Sequence, residues 1–362
     1  MTEIANALLS PDRKPVSEEM WECFWDRLRD GGLVPGEAAA VLASLSTSIP
    51  EDRTLHALLG SLRRRRRFPA ERPVSGDAVN IVGTGGGPTT FNISTAAAMV
   101  AAAMGVRVIK TGSRAYSGLC GSIDLLHHLG LPLSESHDET AAMLDRFGIA
   151  FAGAYVYPIE LRLLSRSILP LPMKVLGQFF NTIGPFLADV PVAGQLTGVS
   201  DTKLLPRFQG LAERFPDRRV WLCANWIGAD ELISFTGNRL LGTGLPKCAG
   251  EGYHMSAIGC GSLEDLRPAA TTQATTAHFE AILAGEGPRA AVDTVCLNAA
   301  ALALLAGLWD TWDEALRAAN TTLGRGDAVR LVHALRRSAG ERTFSNPARI
   351  PALAEPLPVG IR

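Results

Sequence analysis

The chain has 362 residues, 47% of them hydrophobic and 20% charged; this is enough apolar material for a large core and too long for most single compact domains, so two domains are expected. Lys and Arg number 35 against 36 Asp and Glu, a formal net charge of -1. Such a balance builds no global field to gather nucleic acid or an anionic membrane, so any anion site has to be local. The six cysteines, Cys23, Cys120, Cys223, Cys248, Cys260 and Cys296, form no CxxC pair and follow no apolar leader, which predicts a reduced, cytoplasmic protein.

From Ser17 to Arg67 the chain reads as three short helices, SEEMWECFWDRLRDGG, PGEAAAVLASLS and PEDRTLHALLGSLRRRRR. Apolar residues recur at helical spacing, Pro35 and Pro50 sit near the starts of the second and third, and Gly31-Gly32 closes the first. Trp21 and Trp25, like Trp309 and Trp312 far downstream, stand at spacings that suit packing. The arginines 63–67 fall in the last turn of a helix, where cations complement the dipole and consecutive positions fan out around the axis. The alternative is a set of nucleic-acid phosphate contacts with steep salt dependence.

After the polar, proline-bearing FPAERPVSGD, β-branched runs alternate with alanine-rich helices. Val79–Val82 and Val106–Ile109 read as strands with STAAAMVAAAMG as the helix between them, one βαβ unit. Further strands are expected at IAFAGA near Ile149 and RVWLCA near Val220. The fold class is therefore α/β: a small helical N-terminal domain plus a larger α/β domain with a mostly parallel sheet flanked by helices. HFEAILAGEG, AAVDTVCLNAAALALLAG, WDEALRAANTTL and DAVRLVHALRRSAG read as four more helices. The stretches Ala96–Met104 and Ala299–Leu305 are too short to span a bilayer and read as buried helices. The tail from Glu341 reads as an extended or disordered segment.

Between the first strand and its helix lies Gly83-Thr84-Gly85-Gly86-Gly87-Pro88-Thr89-Thr90-Phe91-Asn92-Ile93-Ser94-Thr95. Glycines let backbone N–H groups approach an anion, and the hydroxyl and amide side chains fall where a helix begins with its positive dipole end facing the same space. Ser94 and Thr95 could also serve as helix N-caps. No Gly-Lys-Ser/Thr follows and GxGxxG is out of register, so neither a Walker loop nor a dinucleotide fingerprint is present. The second strand ends in Lys110, followed by a loop carrying Arg114, Ser117 and Ser122. A loop at the carboxyl end of a neighbouring parallel strand faces the same crevice, so both cations converge on one anion. Past the strand near Val220, Asp230-Glu231 is a carboxylate pair of the kind that suits magnesium.

In order and spacing, GTGGGPTTFNIST, KTGSRAYSGLCGSIDLL, FFNTIGP (Phe179–Pro185), ADELIS and LAGEGPRAAVDTVCLNAAALALLAG resemble the anthranilate phosphoribosyltransferases, whose fold is shared with pyrimidine nucleoside phosphorylases. The resemblance covers nearly the whole chain to about Gly340. It implies a helical domain (1–72, completed by helices at about 158–184), an α/β domain (73–157 and 185–340) that binds phosphoribosyl pyrophosphate, and a homodimer. It implies donor contacts at Gly83, Thr84, Gly85, Gly86, Asn92, Ser94, Thr95, Lys110 and Ser122, with Lys110 and Arg114 as the catalytic cations. Magnesium would be held by Ser94, Asp230 and Glu231, and the aromatic acceptor would meet Thr111, Ser113, Tyr157, Arg166 and Pro185.

The chain departs from the family pattern at several of these positions. Thr111 and Ser113 stand for its His and Asn, Tyr157 for a histidine before proline, Gly87 for an aspartate, and Leu119-Cys120 for Lys-Ser. The expectation is the same reaction class with anthranilate or a related aromatic or heteroaromatic acid as acceptor. A pyrimidine nucleoside phosphorylase and a non-catalytic nucleic-acid-binding relative are the alternatives.

Overall fold

The computed structural model describes residues 3–65, 75–112, 121–171, 176–245 and 252–345. Four helices open the chain: α1 (Glu3–Leu9), α2 (Glu18–Arg29), α3 (Glu37–Thr47) and α4 (Asp52–Arg64). The last three are the expected ones, and α1 is an addition. Ser17 caps α2 by accepting the Met20 N–H at 3.3 Å, and Gly31 follows its end at φ +73°, where a left-handed residue without a Cβ costs least.

Seven strands follow: β1 (Ser75–Gly83), β2 (Val108–Lys110), β3 (Ile149–Phe151), β4 (Val192–Gly198), β5 (Arg219–Asn225), β6 (Asn238–Gly242) and β7 (Tyr253–Met255). They form one sheet in the order β3-β2-β1-β4-β5-β6-β7. The first five run parallel, while β6 and β7 add antiparallel edge strands. β1, β2, β3 and β5 are the expected strands, β4, β6 and β7 are additions, and β2 begins at Val108, two residues later than expected. The order reverses between β1 and β4. That is the switch point at which open α/β sheets open a ligand crevice beyond the strands' carboxyl ends.

The helices between and after the strands are α5 (Ile93–Ala103), α6 (Ser122–His128), α7 (His137–Phe147), α8 (Ile159–Ser167), α9 (Gln178–Ile183), α10 (Leu205–Ala212), α11 (Thr272–Leu283), α12 (Arg289–Ala306), α13 (Trp312–Gly324) and α14 (Asp327–Ser345). Alternation along β5 shows how the sheet is sandwiched. Trp221 and Cys223 join the core made with α5 and α12, whereas Val220, Leu222 and Ala224 join a second core with Trp21, Phe24, Trp25, Leu164 and Phe179 from α2, α8 and α9. The chain between β3 and β4 thus leaves the sheet to pack with the N-terminal helices.

Alanine-rich α5 lies against alanine-rich α12, small side chains letting two buried helices approach closely. The stretch Ala299–Leu305 belongs to the 18-residue α12, which by length and composition could cross a bilayer; 78% of it is buried inside the protein, as a core helix is. Trp21 and Trp25 are fully buried and stack on each other at 5.6 Å, and Trp309 and Trp312 pack against the sheet core. The tail begins later than expected, because α14 runs on to Ser345. Residues 346–362 lie outside the described region.

The arginine run is engaged internally as far as it is described. Arg63 lies 4.4 Å over the Phe215 ring, Arg64 pairs with Glu18 at 2.8 Å, and Arg65 binds Glu22, Asp26 and the buried Glu160. Arg66 and Arg67 lie outside the described residues.

Candidate active site

The crevice is built from the ends of four adjacent parallel strands. β1 runs directly into the glycine loop, where Gly85 and Gly86 take φ +69° and +86°. Asn92 is the N-cap residue of α5, so Ser94 and Thr95 sit in its first turn, rather than capping it. β2 ends in Lys110. Beyond β4 come Val199 and Ser200, and the loop after β5 carries Asp230 and Glu231.

The loop after β5 is inserted between the other strand ends. The Gly85 N–H donates to Asp230 Oδ2 at 2.7 Å. A Cβ on Gly83 would lie 1.9 Å from that oxygen, one on Gly198 1.5 Å from the Asp230 carbonyl, and one on Gly87 2.4 Å from the Gly228 carbonyl. Real Cβ atoms essentially never come so close. Glycine at 83, 87 and 198 is therefore what lets the carboxylate loop reach the anion loop.

Charge is concentrated here in a dry setting. Lys110 is only 4% exposed, and burial brings its ammonium down to about 8, opposed by the charges of Glu231 and Asp230. Burial raises both carboxyls, Glu231 well above its ordinary value, and the neighbouring Asp230 charge raises Glu231 further. Glu231 Oε2 and Thr95 Oγ1 are buried with no hydrogen-bond partner among the described residues.

A half-buried carboxylate pair with one buried, orphaned oxygen fits a divalent cation, which would lower both pKa values by direct attraction. Among the described residues no group of three His, Cys, Asp or Glu forms an all-protein cage. The carboxylate pair itself suits magnesium, which keeps waters and takes its remaining ligands from substrate phosphates.

The carboxylate loop is held by buried amides that sequence reading missed. Asn225 donates to the Ala229 and Glu231 carbonyls at 2.9 and 2.7 Å, and Asn298 of α12 accepts the Leu232 N–H at 3.1 Å while donating to its carbonyl at 2.7 Å. Asn238 accepts the Ile233 N–H at 2.8 Å. A lone amide in the otherwise apolar VCLNAAALALLA was the available signal for Asn298.

The residues expected at the acceptor side are not alike in placement. Thr111 is fully buried; its N–H donates to Asn80 Oδ1 at 3.2 Å and its hydroxyl lies 3.0 Å from Asn80 Nδ2. Burial pushes the Tyr157 phenol up to about 12. Pro185 is buried in a 3-10 turn, its carbonyl accepting from Gln195 Nε2 at 3.0 Å. Arg166 is exposed near the end of α8.

Ser122 opens α6, and its Oγ lies 2.1 Å from where a Gly112 Cβ would stand, which brings Gly112 and α6 together beside Lys110. Lys110, Thr111, Gly112, Ser122 and Phe151 line one small cavity. Ser113, Arg114, Ser117, Leu119 and Cys120 lie outside the described residues.

Comparison with known proteins agrees with this geometry. Residues 75–329 match the family model described as glycosyl transferase family, a/b domain; fold and family model together define a glycosyltransferase enzyme. Anthranilate phosphoribosyltransferase 2 of Streptomyces coelicolor is 33% identical over 311 residues, 83% of this chain and 90% of the relative. The anthranilate phosphoribosyltransferase of Moorella thermoacetica is 33% identical over 319 residues, 86% and 90% of the two chains. The chain belongs to the anthranilate phosphoribosyltransferase family.

Among solved structures, the anthranilate phosphoribosyltransferase of Thermus thermophilus is similar with a TM-score of 0.72 at 26% identity, covering 94% of this chain and 100% of that one. The Saccharomyces cerevisiae enzyme, solved in complex with PRPP and Mg, shares the fold at a TM-score of 0.74 and 19% identity, covering 93% and 97%.

Proposed function

We propose that the protein is a magnesium-dependent phosphoribosyltransferase that moves the 5-phosphoribosyl group of phosphoribosyl pyrophosphate onto an aromatic amine or acid, anthranilate or a related acceptor, and releases pyrophosphate. The observation that carries this reading is the insertion of the Asp230-Glu231 loop against the glycine loop, beside buried Lys110. A diphosphate in the crevice meets backbone donors, the first turn of α5 and one ammonium, with a carboxylate pair beside them to hold its metal. Asp230, Glu231 and Ser94 would hold magnesium, which supplies charge stabilisation to the leaving pyrophosphate.

In this reading the leaving group gathers negative charge while the anomeric carbon becomes oxocarbenium-like. Lys110 and the dipoles of the glycine loop are fixed in place before that charge develops, so they stabilise it without reorganising. No covalent nucleophile is required, and attack from the face opposite the diphosphate gives inversion. Tyr157 keeps its proton at neutral pH and Thr111 is paired with the uncharged Asn80, so this side orients an acceptor without serving as a base. We divide the molecule into the helical part (1–72 with about 158–184) and the α/β part (73–157 and 185–340), whose closure would bring acceptor and anomeric carbon together.

The test mixes protein, phosphoribosyl pyrophosphate, magnesium and anthranilate, following pyrophosphate release with the loss of anthranilate fluorescence. Both signals, abolished by EDTA, are expected. Metal-dependent binding of the donor without turnover would shift the acceptor to another aromatic acid, and absence of donor binding would overturn the reading.

A further inference from the structure

Ser200 has no place in the site as assembled from the sequence, yet it touches the anion loop twice. Its hydroxyl donates to the Gly85 carbonyl at 2.6 Å, and its backbone N–H donates to Thr84 Oγ1 at 3.3 Å. Its own position is fixed by the sheet: the Thr84 N–H donates to the Gly198 carbonyl at 3.0 Å and the Val199 N–H to the Cys223 carbonyl at 2.8 Å. Gly228 of the carboxylate loop packs on the Ser200 carbonyl, a Cβ there falling 3.5 Å away.

The Gly85 carbonyl shares its peptide plane with the Gly86 N–H, and in a trans peptide the two point in opposite directions. Gly85 and Gly86 both hold positive φ, a region glycine enters and leaves at little cost, so without a latch this plane can turn over. Turned over, it would present a carbonyl where a donor is needed. The Ser200 hydroxyl, at 2.6 Å the shorter of two bonds to this carbonyl beside that from the Thr84 hydroxyl at 3.4 Å, is that latch. The Gly86 N–H is left pointing away from Ser200, with no partner among the described residues.

We infer that Ser200 is a positioning residue for the donor: by holding the Gly85 carbonyl it aims the Gly86 N–H at the diphosphate. The inference rests on the donor-binding reading above. It predicts a loss confined to the diphosphate, because an interaction made equally with bound donor and transition state changes KM and leaves kcat alone.

The experiment titrates inorganic pyrophosphate with magnesium into the wild-type, Ser200→Ala and Ser200→Thr proteins by calorimetry, alongside steady-state kinetics and thermal melts. Ser200→Ala is expected to weaken pyrophosphate binding and raise the donor KM about tenfold, the scale of one hydrogen bond. The acceptor KM, kcat and Tm stay at their wild-type values, and Ser200→Thr, which keeps the hydroxyl, restores binding. Wild-type affinity in Ser200→Ala would overturn the inference, as would parallel changes in both KM values and Tm, which mark a purely structural role. If the wild-type protein itself binds no pyrophosphate, the donor reading falls and this inference with it.

Discussion

Lys110 shows how far a single residue's chemistry is set by its surroundings. Its ammonium is brought down to about 8 in the free protein, and a bound diphosphate, by adding negative charge, favours the protonated form. Binding therefore takes up a proton once the pH exceeds about 8, and affinity for pyrophosphate with magnesium falls as pH rises beyond that point. Calorimetry in buffers of different ionisation enthalpy should show this uptake at about pH 9 and none at about pH 7. Lys110→Met should bind more weakly and lose the lysine's part of the pH dependence.

Gly87 carries a second residue-scale prediction. A Cβ there meets the Gly228 carbonyl at 2.4 Å and Ala229 Cα at 3.3 Å, so Gly87→Ala forces the two loops apart at an overpacking cost of about 1–3 kcal/mol. The magnesium concentration for half-maximal pyrophosphate binding should rise about tenfold, with the melting temperature changed far less than by Gly198→Ala, where the Asp230 backbone itself is met at 1.5 Å.

At the scale of elements, the carboxylate loop has no regular structure of its own and takes its shape from α12 and β6 through Asn298 and Asn238. Asn298 is fully buried and makes bonds to the Leu232 N–H, the Leu232 carbonyl and the Thr294 carbonyl. Asn298→Ala leaves buried groups unpaired, for a cost of about 2–3 kcal/mol, and thermal melts should show Tm lower by roughly 5 °C together with a higher magnesium requirement.

The glycine loop was legible in the sequence because its chemistry is local: a strand, three glycines and a helix start are contiguous. β4 was not, since VAGQLTG carries two glycines and a glutamine that depress strand propensity. Tertiary neighbours explain both glycines: a Cβ on Gly194 would strike Leu305 at 2.7 Å, and Gly198 faces Asp230. The short edge strands NRLLG and YHM gave no period long enough to read. The burial of Thr111 depends on Asn80, 31 residues away, which no local pattern reports.

Across the whole molecule, the contacts between the opening helices and the chain after β3 converge on Glu160, nearly fully buried and bound by Arg29 at 3.0 Å and by Arg65 at 3.2 Å. Arg65→Ala should destabilise the protein by about 2 kcal/mol, short of the full cost of an unpaired buried charge because Arg29 remains, as read from denaturant unfolding. With Arg63, Arg64 and Arg65 engaged internally, filter binding to single-stranded DNA should show no retention at low or moderate salt.

The glycine wall around Asp230 has a consequence for how such an enzyme diversifies. At Gly83 and Gly198 the space beside Asp230 holds nothing larger than hydrogen, so substitution there is met with steric refusal. Thr111 is little freer: it is fully buried and paired with Asn80, so a replacement there has to keep that partner. Change in this crevice is therefore channelled to positions that touch neither the glycine wall nor Asn80.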